Sequence, residues 1–248
     1  MAFRRYPQQV LLAKKWGEYV LEFFMLFLAV FLGFLAENYR EQQVERKMET
    51  EYMASLVKDL EMDSIEISRI IPLKEDRIRA IDSIYLFFKS NRTVNTISGK
   101  LFKTIRRTTW DRRFVRNVIT INQLKNAGAM RLVHKKSIAD SIATYEAACQ
   151  GLEFYSDYYI NNSLIGNEFS EELVNSADLL EYYLANETEA IVSNIPDTVK
   201  ININRTRLSQ QLNFMMRQKT FARQEINKLI ALQQQIVRLR SLLKAEYL

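Results

Sequence analysis

Residues 16–40 read WGEYVLEFFMLFLAVFLGFLAENYR, an apolar stretch with aromatic residues near both ends. Its centre, Phe23 to Ala36, contains 14 residues without a polar or charged side chain. Extended back to Tyr19, the stretch has 18 residues. As an α-helix it is about 27 Å long, which is close to the roughly 30 Å hydrocarbon core of a bilayer. The sequence therefore predicts a transmembrane helix over residues 16–39, with interfacial ends.

Two other interpretations of this stretch are less well supported. A core helix of a soluble protein commonly keeps a polar face for water, and 14 successive apolar residues leave none. A cleaved signal peptide has small residues before its cleavage site, whereas Phe34 lies two residues before Ala36. We therefore expect a membrane anchor that is retained in the mature protein.

The charges on the two sides of the stretch predict its orientation. Four basic residues precede it with no acid before Glu18, whereas the charges that follow it are nearly balanced. By the positive-inside rule the N-terminus stays in the cytoplasm. We expect a cytoplasmic segment over residues 1–15 and an extracytoplasmic helical domain over residues 40–248, anchored in the inner (plasma) membrane. The domain would be periplasmic in a diderm bacterium. The four basic residues are Arg4, Arg5, Lys14 and Lys15.

Small residues on one face of the predicted span favour association between helices. Ala29, Gly33 and Ala36 lie three or four residues apart, and small residues at this spacing let helices approach closely. Glu22 lies seven residues before Ala29, on the same face. One interpretation of this acid is a group that faces an oligomer interior or an ion path. The other is a side chain that reaches the cytoplasmic interface. We expect a homo-oligomer or association with another membrane protein.

Scarce helix breakers predict an all-α chain. The 248 residues include only six glycines and three prolines, and 48% of them are hydrophobic, which is enough for a real core. Apolar residues at three- and four-residue spacing predict that the membrane helix continues as one amphipathic helix to Pro72. A second helix is predicted over residues 73–89 and a short third one over residues 99–107.

The second half of the chain carries further helix signals. Gly128 is predicted to end one helix, and Ser137, with Asp140 three residues on, to cap the next. Another helix is predicted over residues 169–184. Residues 198–204 alternate polar and β-branched side chains, but the sequence offers this short strand no evident partner.

The last predicted helix begins at Arg205 and carries a coiled-coil-like seam. Lys219, Gln233 and Arg240 interrupt the heptad pattern, which favours packing against the long first helix in a bundle over a strict zipper. The apolar seam consists of Leu208, Leu212, Met215, Ala222, Ile226, Leu229, Ile236 and Leu243.

The residues that most enzymes need are scarce. His134 and Cys149 are the only histidine and the only cysteine, so a Ser-His-Asp, Cys-His or common zinc site would depend on single residues. The six glycines form no phosphate-binding loop. We expect no catalytic, cofactor-binding or metal-binding residues, and a protein that is not an enzyme.

Basic residues concentrate in and just after the third predicted helix, over 17 residues around Trp110, with Asp111 the only acid among them. One interpretation is a surface that binds an anionic lipid, an envelope polyanion or an acidic protein face. The other is a solvated surface that forms ordinary ion pairs with acidic helices. Nucleic acid is not expected, because the predicted location is outside the cytoplasm. This basic cluster consists of Lys100, Lys103, Arg106, Arg107, Arg112, Arg113 and Arg116.

Three short segments of the sequence carry a resemblance to a protein family. They are the Gly17–Glu18 pair before the span, LVKDLEMD at residues 56–63, and the LKNAGAMRL turn at residues 124–132. In this arrangement the chain resembles a family of small single-span inner-membrane proteins found mainly in Bacteroidota. The resemblance implies an N-terminal span followed by an extracytoplasmic helical domain. It implies no activity, because none is known for that family.

These features lead to one functional hypothesis and two alternatives. The first is a non-enzymatic, single-pass scaffold or partner-docking subunit of the cell envelope, with the lipid bilayer and another copy or another membrane protein as partners. The second is a subunit of an ion-conducting or proton-coupled oligomer with Glu22 facing the interior. The third is an extracytoplasmic ligand-sensing bundle that signals through another subunit.

Overall fold

The structure of the chain, a computed structural model, describes residues 16–91, 93–108, 111–173, 195–202 and 204–248. These residues form five α-helices, one 3-10 helix and one two-stranded sheet, so the fold class is all-α, as predicted. The elements in chain order are α1 (Trp16–Ser90), β1 (Thr96–Ser98), α2 (Gly99–Thr108), α3 (Ile119–Asn126), the 3-10 helix (Ala129–Leu132), α4 (Lys136–Glu172), β2 (Thr198–Lys200) and α5 (Arg205–Tyr247).

The chain divides into two compact units, residues 1–51 and residues 52–248. In the first unit the described residues are all helical, and every side chain from Trp16 to Val44 is exposed. By length and composition, α1 is long and apolar enough to cross a membrane. An 18-residue window of it has a mean hydropathy of 2.3, and none of that window is buried. The window is therefore not part of a core formed by the described residues.

The second unit is a helical bundle in which α1 and α5 run antiparallel. All three polar residues that interrupt the heptad pattern of α5 contact side chains of α1. Higher residue numbers on α5 contact lower numbers on α1, which defines the antiparallel direction. The prediction that α5 packs against the first helix is confirmed. The contacts are Lys219 to Asp82 at 2.5 Å, Gln233 to Ser64 at 2.7 Å, and Arg240 to Glu61 at 3.2 Å.

The largest core cluster joins α1, α4 and α5. Full burial of one aliphatic side chain stabilises the folded state by roughly 1.5–3 kcal/mol. The many aliphatic side chains of this shared core are therefore the main reason that the three helices stay together. Its fully or almost fully buried members include Met53, Leu56, Leu60, Ile67 and Ile70 of α1, Ile138, Ile142, Tyr145 and Cys149 of α4, and Leu229, Leu232, Ile236 and Leu243 of α5.

The predicted break at Pro72 is wrong, because α1 continues through this residue to Ser90. Proline removes one backbone donor and clashes with the preceding turn, which costs about 3 kcal/mol or more within a helix. The residues on both sides are fixed by burial, since Ile70 and Lys74 are almost completely inaccessible to solvent. Packing of the flanking turns therefore outweighs the local penalty of the proline.

The short alternating segment near residue 198 does have a partner. β2 pairs antiparallel with β1, with Ile97 opposite Val199, and both of these side chains are buried. Next to the sheet, a Cβ atom on Gly99 would lie 2.2 Å from the carbonyl oxygen of Pro196. The expectation that this strand lacks a partner is corrected, because β1 is only three residues long and shows no periodicity that a sequence pattern can detect.

The helix boundaries in the middle of the chain agree in part with the prediction. Gly128 adopts a left-handed conformation with φ of 62° after α3, so it ends that helix as predicted. Ser137 is not the N-cap of α4. The carbonyl of Lys135 accepts the amide of Ala139 at 3.1 Å, so the helix starts before Ser137. Of the helix predicted over residues 169–184, the first part belongs to α4 and residues 174–184 lie outside the described residues.

Candidate functional site

Charged side chains lie inside the bundle where α1 meets α5 and the segment after α2. Lys74 Nζ donates to both carboxylate oxygens of Asp111 at 3.1 Å and to Glu225 Oε2 at 2.7 Å. The side chains of Lys74, Asp111 and Glu225 are only 1%, 7% and 1% exposed. A buried charge is very costly unless it is paired, and here each one has a partner of opposite sign.

Arg77 lies one helical turn after Lys74 and joins the same cluster. Its Nε and Nη2 donate to the carbonyl oxygen of Thr108 at 3.0 and 2.9 Å, and its Nη1 donates to Asp111 at 3.4 Å. Thr108 is the last residue of α2, so a guanidinium caps the negative end of that helix. Burial lowers the pKa of Arg77 from its ordinary value, while the charges of Asp111 and Glu225 oppose this effect.

Residues of α4 complete the cluster. Ser156 Oγ donates to the second carboxylate oxygen of Glu225 at 2.8 Å. The ring of Tyr159 lies 6.0 Å from Lys74 Nζ and 5.4 Å from the guanidinium carbon of Arg77, which is within the range of cation–π contacts. The two buried cations and two buried carboxylates balance in charge. This ionic cluster, defined by Lys74, Arg77, Asp111 and Glu225, therefore ties α1, α5 and the segment after α2 together.

A cleft of about 530 Å³ opens beside the ionic cluster. One of its walls comes from α1 and the other from α2 and the residues that follow it. The cleft has the size of a small-molecule site and combines apolar and charged side chains. It is lined by Leu73, Asp76, Arg77, Ala80, Thr104, Arg107, Asp111 and Arg112.

The members of the basic cluster predicted from the sequence have different environments in the structure. Its first four members lie on α2, and its last three lie in the segment between α2 and α3. Arg113 contacts Asp157 at 2.8 Å and Arg116 contacts Glu153 at 2.8 Å, both on α4. Only Arg107 and Arg112 line the cleft. The structure thus shows ion pairs for Arg113 and Arg116 and places Arg107 and Arg112 in a concave site. Arg112 also forms a longer ion pair with Glu66 at 3.8 Å. Lys100, Lys103 and Arg106 are placed on α2 outside the lining of the cleft.

The predicted association face lies on the exposed apolar part of α1. Ala29, Gly33 and Ala36 are all exposed, and none of the described residues lies within 4 Å of the position that a Cβ atom on Gly33 would take. Glu22 is exposed on the same helix. The role of this face and of Glu22 stays a prediction.

A second buried polar group was missed by the sequence interpretation. Asp63 accepts a hydrogen bond from the Asn117 amide at 2.7 Å through Oδ1 and one from the Tyr145 hydroxyl through Oδ2. Asp59 accepts the Thr120 amide, in the first turn of α3, at 2.9 Å. The two aspartates of the LVKDLEMD segment therefore hold the chain between α2 and α3 against α1.

Burial also sets the ionisation of this second group. It raises the pKa of Asp63, an effect opposed by the hydrogen bonds from Tyr145 and Asn117. Burial also raises the pKa of Tyr145, and it raises the pKa of Cys149 to about 12. Cys149 is completely buried and would be a neutral thiol at neutral pH. These side chains serve packing and hydrogen bonding in the core.

The sequence carried a weak signal for the buried charges. Lys74 falls in the apolar series Ile67, Ile70 and Ile78 at helical spacing, and Glu225 falls beside Ile226 in the apolar seam of α5. A charged residue at a core position is a hint of buried pairing. Its partner cannot be found from spacing alone, because Lys74 and Glu225 are far apart in the sequence.

No protein-family model, curated protein or solved structure matches this chain. What the fold itself defines is a helical bundle whose first helix has an apolar segment of membrane-spanning length and composition.

Proposed function

We propose that this protein is a non-enzymatic, single-pass membrane protein of the cell envelope that acts as a scaffold or docking subunit. The observation that carries the proposal is the exposed apolar segment of α1, which has a mean hydropathy of 2.3 and no burial. An exposed apolar surface of this extent is unfavourable in water and favourable in lipid. Its length suits a single crossing of the bilayer.

The proposed orientation places the N-terminus in the cytoplasm and residues 40–248 outside it. It rests on the four basic residues before the span, since basic residues are retained on the cytoplasmic side. The resemblance to the family of inner-membrane proteins supports the same orientation.

Association through the membrane segment is the second part of the proposal. Ala29, Gly33 and Ala36 present a face without large side chains, on which a second helix can pack closely. Because no described residue of this chain lies within 4 Å of a Cβ atom on Gly33, a larger side chain there meets no neighbour among the residues that the structure describes. An effect of such a substitution on mass would therefore report contact with another molecule.

The test is the mass of the full chain, purified in detergent and measured by light scattering. We expect an oligomer for the natural sequence and a shift towards monomer for Gly33→Leu. Phe31→Leu changes the opposite side of the same helix turn and is the matched control, for which we expect the oligomer to persist. A monomer for the natural sequence contradicts the association, and an oligomer that survives Gly33→Leu contradicts this face as its site.

A further inference from the structure

We propose that the cleft between α1 and α2 binds a small organic anion, with a phosphate or carboxylate group held by Arg107 and Arg112 in the cleft that the buried Arg77 also lines. The ligand class follows from the charges that line the cleft, from its size and from its apolar wall. The site lies wholly within residues 52–248, and its existence does not depend on the membrane anchor.

The two acids that line the cleft are each paired with a base of the protein. Asp111 accepts hydrogen bonds from Lys74 and Arg77, and Asp76 forms an ion pair with Arg79. These carboxylates therefore leave the cleft open to a further negative charge.

The two exposed arginines of the cleft lining retain N–H donors for a ligand. Arg107 is exposed and has no acidic partner among the residues that the structure describes. Arg112 lies 3.8 Å from Glu66, which is longer than a hydrogen bond. Arginine is suited to bind carboxylate and phosphate because its planar guanidinium can donate two parallel hydrogen bonds to such a group.

Arg77 adds an ordered guanidinium to the lining of the cleft. It is 8% exposed, and its position is set by two hydrogen bonds to Thr108 and one to Asp111. Arginine carries more N–H donors than these three bonds use. A charged group that is already ordered loses little side-chain entropy when it binds a ligand, which favours affinity.

The size and the remaining wall of the cleft favour an organic anion over a bare inorganic ion. The volume of about 530 Å³ falls within the range typical of small-molecule sites. Leu73 and Ala80 supply apolar surface from α1. A ligand with an apolar group beside its anionic group would contact both kinds of wall.

Binding of phenyl phosphate to the full chain in nanodiscs of phosphatidylcholine tests this site. We expect saturable binding, and a loss of affinity of at least about tenfold for Arg107→Ala and for Arg112→Ala, because each removes charge-assisted hydrogen bonds. Arg113→Ala removes the same charge from the neighbouring position but outside the cleft, so we expect it to bind like the natural sequence. Inorganic phosphate should bind more weakly, since it lacks the apolar group.

Two sources of the anionic group are distinguished by a second set of discs that contain phosphatidic acid. A higher apparent Kd for phenyl phosphate in these discs, for both the natural sequence and Arg113→Ala, would identify a lipid headgroup as the occupant. An unchanged Kd would identify a soluble anion.

The proposal is overturned if phenyl phosphate shows no saturable binding at about 1 mM in neutral discs. It is also overturned if Arg113→Ala weakens binding as much as Arg107→Ala does.

Discussion

At the scale of single residues, the least expected feature is a lysine in the core of the bundle. Lys74 occupies a position at which the apolar repeat of α1 predicts an aliphatic side chain. Its hydrogen bonds to Asp111 and Glu225 stabilise it there. Its partners come from distant parts of the sequence. Patterns of spacing could therefore predict the buried stripe of α1 but not the ionic cluster within it.

Replacement of Lys74 tests whether the cluster holds the bundle together. Lys74→Met keeps an unbranched side chain of similar length but leaves Glu225 buried without a cation at hydrogen-bond distance. We expect the free energy of unfolding to fall by about 3–5 kcal/mol, measured by chemical denaturation of the solubilised chain. Arg79→Ala, which breaks an exposed pair with Asp76, should change it by less than about 1 kcal/mol. Equal effects of the two substitutions would contradict the structural role of the cluster.

The buried carboxyl of Asp63 predicts a dependence of stability on pH. Burial raises its pKa in the folded chain, so the folded state holds this proton to a higher pH than the unfolded state does. Stability contributed by Asp63 is therefore greatest at low pH and falls as the pH rises from the unfolded pKa, about 3.9, through the raised folded pKa. Asp63→Asn keeps the size of the side chain but cannot ionise.

The difference in unfolding free energy between the natural sequence and Asp63→Asn isolates this one group. Measured from about pH 3 to about pH 7, the natural sequence should lose stability relative to the variant as the pH rises. A relative gain with rising pH would mean that the hydrogen bonds from Tyr145 and Asn117 outweigh burial, contrary to this assignment.

At the scale of helices and strands, the predicted elements agree with the structure where the pattern of apolar residues extends over many residues. The seam of α5 repeats over the whole helix, so its start at Arg205, most of its buried face and its packing against α1 were predictable. Leu232 and Leu239 are also buried, and Leu212 is only partly buried. Pro72 is a strong local signal, but it is overruled by contacts of its neighbours with distant residues. β1 has three residues, too few for a period. It pairs with β2 next to the close approach of Gly99 to Pro196.

The close approach at Gly99 gives a test of this local structure. Gly99→Ala would place a Cβ atom 2.2 Å from a backbone oxygen, so the chain must shift, and we expect a loss of about 1–3 kcal/mol in unfolding free energy. Gly151→Ala is the matched control, because no atom of the described residues lies within 4 Å of that Cβ position in α4. It should stabilise the chain by about 0.5–1 kcal/mol through helix propensity. A stabilising effect of Gly99→Ala would refute the packing at this corner.

At the scale of the whole molecule, composition and one apolar stretch carried most of the prediction. The shortage of glycine and proline predicted the all-α class, and the segment from Tyr19 to Ala36 predicted the exposed apolar part of α1. The cleft could not be predicted, because its lining residues on α1 and α2 are separated in the sequence and come together only in the folded chain. The sequence predicted Arg107 and Arg112 as candidate anion-binding residues of the basic cluster. It did not indicate Arg77, which lies outside that cluster.

Crossing of the membrane is tested most directly by labelling a cysteine in the bundle from outside the cell. Ser137→Cys provides an exposed thiol, whereas Cys149 is buried with a raised pKa and serves as the internal control that should not react. Washed spheroplasts of a bacterial host that make the full chain are treated with a membrane-impermeant maleimide before and after lysis. We predict labelling of Ser137→Cys before lysis, on protein that stays with the washed spheroplasts. Labelling only after lysis, or recovery of the protein in the wash, would contradict an anchored chain with its bundle outside the cytoplasm.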